Sequence, residues 1–205
     1  DLVYNTKARV GGMALVAQQL EYLRAQPYEA LGTIGGIPSG TVAQYATSTL
    51  NTITYVTRTL IQYIDDPADG AGENDTNHIT ADYKELKVEV SWAVRGKAYK
   101  TFAITRVAPH GIESLTSGGT LRVNVFDALA APVAGAQVHI TNSTSPTIDV
   151  TVSTDNFGSV AFPGAPPASN YTIIVSKDGY SSAQTYDSTA QNPNPNPAHV
   201  SVANQ

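Results

Sequence analysis

The sequence predicts an α+β chain: a long N-terminal helix packed on an antiparallel sheet, followed by an all-β sandwich. Three observations carry this. Residues 1–26 space their apolar side chains at helical intervals, and everything after them reads as β. The stretch APHGIESLTSGG (108–119) interrupts the β pattern with Pro, Gly and Ser. The strands on its two sides keep different rhythms. Residues 1–112 are therefore read as one domain, 113–119 as a linker and 120–205 as a second domain.

In chain order, Val3, Val10, Met13, Ala17, Leu20 and Leu23, with Leu2 and Val16 beside them, predict one apolar helical stripe for the sheet. Pro27 ends the helix, since it has no N–H and pushes its predecessor out of helical geometry. Gly11-Gly12 stands mid-helix, where each glycine costs about 1 kcal/mol against Ala. On that ground replacing both by Ala is expected to stabilise the body, and the pair is read as marking a close contact or a soft point of the helix. The run GTIGGIPSG (32–40) lacks the Lys-Ser/Thr of a phosphate loop and reads as a flexible linker. Residues 41–51 read as loop with a short strand. Residues 52–64 are rich in Thr, Ile and Tyr, and alternation puts Tyr55, Thr57, Thr59, Ile61 and Tyr63 on one face. In 83–94, Leu86, Val88, Val90 and Trp92 point one way, and Arg95-Gly96-Lys97 turns the chain into 98–107. These three strands predict a meander with one face on the helix, and Trp92 in the core.

Beyond the linker, strands are expected at 120–126, 136–141, 148–153, 159–162, 171–176 and 199–202. Turn signals every eight to twelve residues between short strands predict a small sandwich. NPNPNP (192–197) cannot be a central strand and is expected to lie extended on the surface.

Composition excludes several functions. The net charge is −5 with no Lys/Arg cluster, so a nucleic-acid partner has no electrostatic footprint. The chain has no cysteine, which removes thiol catalysis, iron–sulfur clusters and Cys-based zinc sites. His78, His110, His139 and His199 are scattered without metal spacing. No G-x-S-x-G is present, and no enzyme activity is expected. Tyr63, Tyr83, Tyr99, Tyr171, Tyr180 and Tyr186 fall at strand or turn positions; packing is the favoured reading and a sugar platform the other.

Two stretches resemble known families. The amphipathic ALVAQQLEYLRAQPYEAL, a variable loop, a Thr-rich strand and Asp82-Tyr83-Lys84 leading to VEVSW are similar to the globular part of a type IV pilin or pseudopilin. The resemblance implies an apolar helical segment ahead of residue 1, serving as inner-membrane anchor before assembly and filament core afterwards. Many pilins also close their C-terminal region with a disulfide, which this chain cannot form. The blocks GTLRVNVFDALAAPVAGAQVHI, STDNFGSVAFPG and YTIIVSKDGY resemble a carboxypeptidase-regulatory-like, or transthyretin-like, sandwich module. Related modules sometimes carry a Lys–Asn isopeptide bond; the first strand here offers Arg122 and no lysine, so none is expected.

The acidic loop between Asp65 and Asp82 holds Asp66, Asp69 and Asp75 among glycines. Such carboxylates suit a calcium ion, which takes several oxygens at about 2.3–2.6 Å. Some pseudopilins bind calcium in this part of the fold. The other reading is a solvated loop whose Asp side chains cap local turns. The expected function is a structural subunit of an extracellular type IV pilus-like filament, whose partners are copies of itself or other pilins, with the sandwich as an outward display module. The alternatives are a periplasmic secretion-system pseudopilin and an adhesin that binds a glycan or surface.

Overall fold

The computed structural model describes residues 2–66, 68, 81–109 and 118–203. The chain divides into two compact units; of the described residues, 2–66 and 81–109 belong to the first, and 68 and 118–203 to the second.

The first unit opens with helix α1, Leu2–Arg24. A 3-10 turn at Tyr28–Ala30 follows Pro27. Four strands then form one antiparallel meander in the order β1 (Tyr45–Leu50), β2 (Ile53–Ile64), β3 (Tyr83–Val94) and β4 (Lys97–Val107). The short strand at the start is a full member of the sheet, making four strands rather than three. Both tight hairpins use two residues with positive φ: Asn51 and Thr52 between β1 and β2, Arg95 and Gly96 between β3 and β4. That is the backbone which matches strand twist in a two-residue turn. Alternation sends Tyr55, Thr57, Thr59 and Ile61 of β2 and Leu86, Val88, Val90 and Trp92 of β3 into the interior, as expected. Tyr55 pairs with Trp92 across the strands, and their ring centroids are 5.7 Å apart.

The helix meets this face with a different stripe from the expected one. Ala8, Gly12, Val16, Gln19 and Leu23, spaced three and four apart, turn toward the sheet, with Ala8 and Leu23 wholly buried. Val3, Val10 and Met13 face away, 67%, 60% and 54% exposed. Ala17 is exposed too, while Val16, Leu20 and Leu23 are buried as expected. The reason is bulk. Where the helix crosses Tyr55 and Trp92 the sheet supplies the large side chains, so the helix must supply none. A Cβ on Gly11 would fall 2.6 Å from the Tyr55 hydroxyl, and one on Gly12 2.6 Å from Cζ3 of Trp92.

The run at 32–40 is not a flexible linker. Thr33 donates its N–H to Pro38 O, Val42 to Gly32 O and Ile34 to Val42 O, each within 3.2 Å. Leu31, Thr33, Ile37 and Val42 are buried. Gly32 and Gly40 pack backbone on backbone, with no room for a side chain on either.

The second unit is a pair of antiparallel sheets. One holds β5 (Gly119–Asn124) and β8 (Ser159–Ala165). The other runs β7 (Ile148–Ser153), β6 (Gln137–Asn142), β9 (Ala168–Ser176) and β10 (Ala183–Gln184), with β11 (Val200–Val202) also on β9. Leu121, Val138, Ile140, Val152, Val160, Tyr171 and Ile173 are the buried sides of these strands. Each such side chain contributes roughly 1.5–3 kcal/mol by leaving water. The strands extend further than expected around 163–169, with β8 and β9 separated only by Pro166 and Pro167. The expected linker at 113–119 falls largely outside the described residues; Gly119 already belongs to β5.

Candidate functional site

The sequence nominated the acidic loop first. Asp66 stands at its base, where its N–H donates to Asp82 Oδ2 at 2.6 Å and Asp82 returns a bond to Ile64 O. Asp69 and Asp75 lie outside the described residues, as does His78. Among the described residues no three His, Asp or Glu side chains gather as a metal site.

Lys84, from the Asp-Tyr-Lys block, has a structural role. Strand alternation turns it inward, and only 2% of it remains exposed. Its ammonium donates to Tyr28 O at 2.9 Å. It also lies 4.4 Å from the centre of the Tyr28 ring and 5.3 Å from that of Tyr63. A buried ammonium is costly unless it is bonded, and aromatic faces attract it. Lys84 thereby ties the turn after α1 to β3.

The outward side of α1 is one exposed apolar surface of the first unit; Phe102 and Ile104 of β4 are exposed elsewhere. Val3, Val10, Met13 and Ala17 recur on that side of the helix at helical spacing over four turns, all exposed. Among the described residues no helix is long and apolar enough to cross a membrane.

In the second unit the turn residues explain their own motif. Thr154 is buried; its hydroxyl donates to Val133 O at 2.6 Å and accepts the N–H of Ala136 at 2.9 Å. Next to it, Asp155 Oδ1 accepts the N–H groups of Phe157 and Ser159, and Gly158 takes φ 72°. Asp127 closes the preceding turn in the same way, accepting from Leu129 and Ala131. Two Asx-type turns and one buried threonine thus hold the end of the unit together. Residues 120–203 match the family model of the carboxypeptidase regulatory-like domain.

This part of the chain is a carboxypeptidase regulatory-like β-sandwich domain.

Domains of this kind are regulatory or binding folds rather than catalytic ones. No curated protein and no solved structure matched the chain. The family match leaves residues 1–119 uncovered.

The tyrosines nominated as a sugar platform scatter. Tyr171 is buried in the regulatory-like domain and donates to Pro166 O at 2.7 Å, while Tyr180 and Tyr186 are about half exposed. The sequence holds three N-x-Ser/Thr triplets, at Asn74, Asn142 and Asn170; Asn142 is buried and spends its amide on Ser169 O and the N–H of Thr144. Asn74 lies outside the described residues. Asn170 lines a cleft of about 320 Å³ together with Tyr186, Asp187, Asn194 and His199. Apart from Tyr186, none of these was nominated as a ligand-binding residue. The available signal was Tyr186 and His199 on either side of the proline-alternating segment.

Proposed function

We propose that the chain is a structural subunit of an extracellular type IV pilus-like filament, with the regulatory-like domain as its display module. One observation carries the reading. A helix of 23 residues buries one side on its own sheet and leaves a second apolar stripe at Val3, Val10 and Met13 in water. Soluble domains rarely leave such a stripe without a partner. Packing of α1 against the helices of neighbouring copies would bury it. The Asp-Tyr-Lys block and the helix-on-meander arrangement add support through their resemblance to pilins.

The absence of native cysteine makes the test clean. Single cysteines at Val10 and Met13, in chains expressed with the assembly machinery, should form inter-subunit disulfides in filaments sheared from the cell surface. Recovery of the chain only as an uncrosslinked monomer would overturn the reading.

A further inference from the structure

We propose that the loop from Tyr186 to His199 holds a binding site for a neutral saccharide. This is independent of filament assembly, since the residues all belong to the regulatory-like domain. The loop leaves the edge of β9 after β10 and returns to the same edge as β11. Its two ends are stitched together: Tyr186 donates to Pro197 O at 3.0 Å, and His199 donates to Tyr186 O at 3.1 Å. Within it, Thr189 and Asn192 exchange backbone bonds, and Ser188 donates its hydroxyl to Pro193 O at 2.8 Å. Pro193, Pro195 and Pro197 fix φ at every second position. A compact loop with joined ends is a common carrier of function, and one ordered in advance loses little entropy on binding.

The cleft inside it, about 320 Å³, is at the small end for ligand sites and suits one sugar ring. Its chemistry selects the ligand class. No Lys or Arg lines it, so it offers a phosphate or sulfate no charge partner. Its one carboxylate, Asp187, sits 2.9 Å from His199 Nδ1. The amides of Asn170 and Asn194 each donate and accept, as a set of hydroxyls requires, and a carboxylate accepts two adjacent O–H donors. Tyr186, 46% exposed, offers a flat apolar face for the C–H side of a pyranose. Asn170 holds φ 64°, a conformation that concentrates at functional sites. Glycoside hydrolysis is not suggested: it uses a pair of carboxyl groups, and one, Asp187, lines the cleft.

The test is amide NMR on the full chain, titrated with glucose, galactose, mannose, rhamnose and N-acetylglucosamine, and with glucose 6-phosphate as the charged control. At least one neutral sugar should shift Asn170, Tyr186, Asn194 and His199 saturably in the millimolar range. Tyr186→Ala and Asp187→Ala should each weaken binding about tenfold or more, equivalent to about 1.4 kcal/mol, with unchanged melting temperature. The proposal is overturned if no neutral sugar shifts these signals, if the two variants bind as well as the parent, or if glucose 6-phosphate binds more tightly than every neutral sugar.

Discussion

A methyl group on Gly12 would lie 2.6 Å from Cζ3 and 3.1 Å from Cη2 of Trp92. The Trp92 ring is itself held between Tyr55 and Tyr99, with centroids at 5.7 and 6.1 Å, so it has little freedom to retreat. Helix propensity favours Gly12→Ala by about 1 kcal/mol, but overpacking a filled core costs about 1–3 kcal/mol. The clash should win. Gly12→Ala is expected to lower the melting temperature of the first unit, and calorimetry of the variant checks it. A rise would mean the ring yields.

Lys84 permits a graded test. Lys84→Met keeps the stem and removes the donor to Tyr28 O. Tyr28 O keeps the N–H of Leu31, so what is lost is a hydrogen bond from a charged donor, about 1.5–3 kcal/mol. Lys84→Ala also empties the space of the stem and should cost about 2–5 kcal/mol. Urea denaturation should rank parent above Met above Ala. Equal stability of the Met variant and the parent would mean that desolvation cancels what the ammonium gains.

Two phenols make stability fall at alkaline pH. Burial pushes the Tyr55 hydroxyl above its ordinary value of 10.0, with Tyr4 adding to it, and burial does the same to Tyr171. Each donates a hydrogen bond, to Ala8 O and to Pro166 O, that its phenolate could not make. Below pH 10 both folded and unfolded forms are protonated, and the contribution is fully present. Above it the unfolded chain releases protons that the folded chain retains, so unfolding gains as pH rises. Urea midpoints should drop as pH rises above about 10, and the Tyr55→Phe, Tyr171→Phe double variant should drop less.

Thr154 tests the motif of the regulatory-like domain. Thr154→Val preserves shape but strips a carbonyl and an amide of their shared hydroxyl. A loss of about 1–3 kcal/mol is expected, measured by thermal denaturation. Thr154→Ser should retain most of the stability.

The strands of the second unit were legible because alternation and turn chemistry agree there: Val138 and Ile140 point in, and Asp155 and Gly158 make the turn the sequence advertises. The four-stranded meander was nearly as plain, apart from β1, whose YATSTL carries little apolar signal. The helix was legible as an element but not in orientation. Its buried side crosses the large rings at Ala8, Gly11 and Gly12, which register as nothing on a hydrophobic count. Its exposed side carries Val3, Val10 and Met13, which register strongly. Size complementarity, which a single strand of sequence does not display, decided the packing. The compact 32–40 loop was hidden for a related reason. Glycines that allow backbone to touch backbone look the same in sequence as glycines that allow motion. The saccharide cleft draws Asn170 from β9 and the rest from a loop that begins sixteen residues later, at Tyr186, and no local pattern joins them.

The bridge between Tyr186 and Ala198 gives that loop a further property. Because the chain departs from and rejoins one strand edge at neighbouring points, what lies between them is sealed off from the register of β9. Lengthening a closed segment is cheap, about 0.6 kcal/mol for each doubling. The Asn-Pro repeat can therefore gain or lose units without disturbing Tyr171 or Ile173 beneath it. Selection would be free to rewrite what this end of the domain recognises while leaving inherited stability alone.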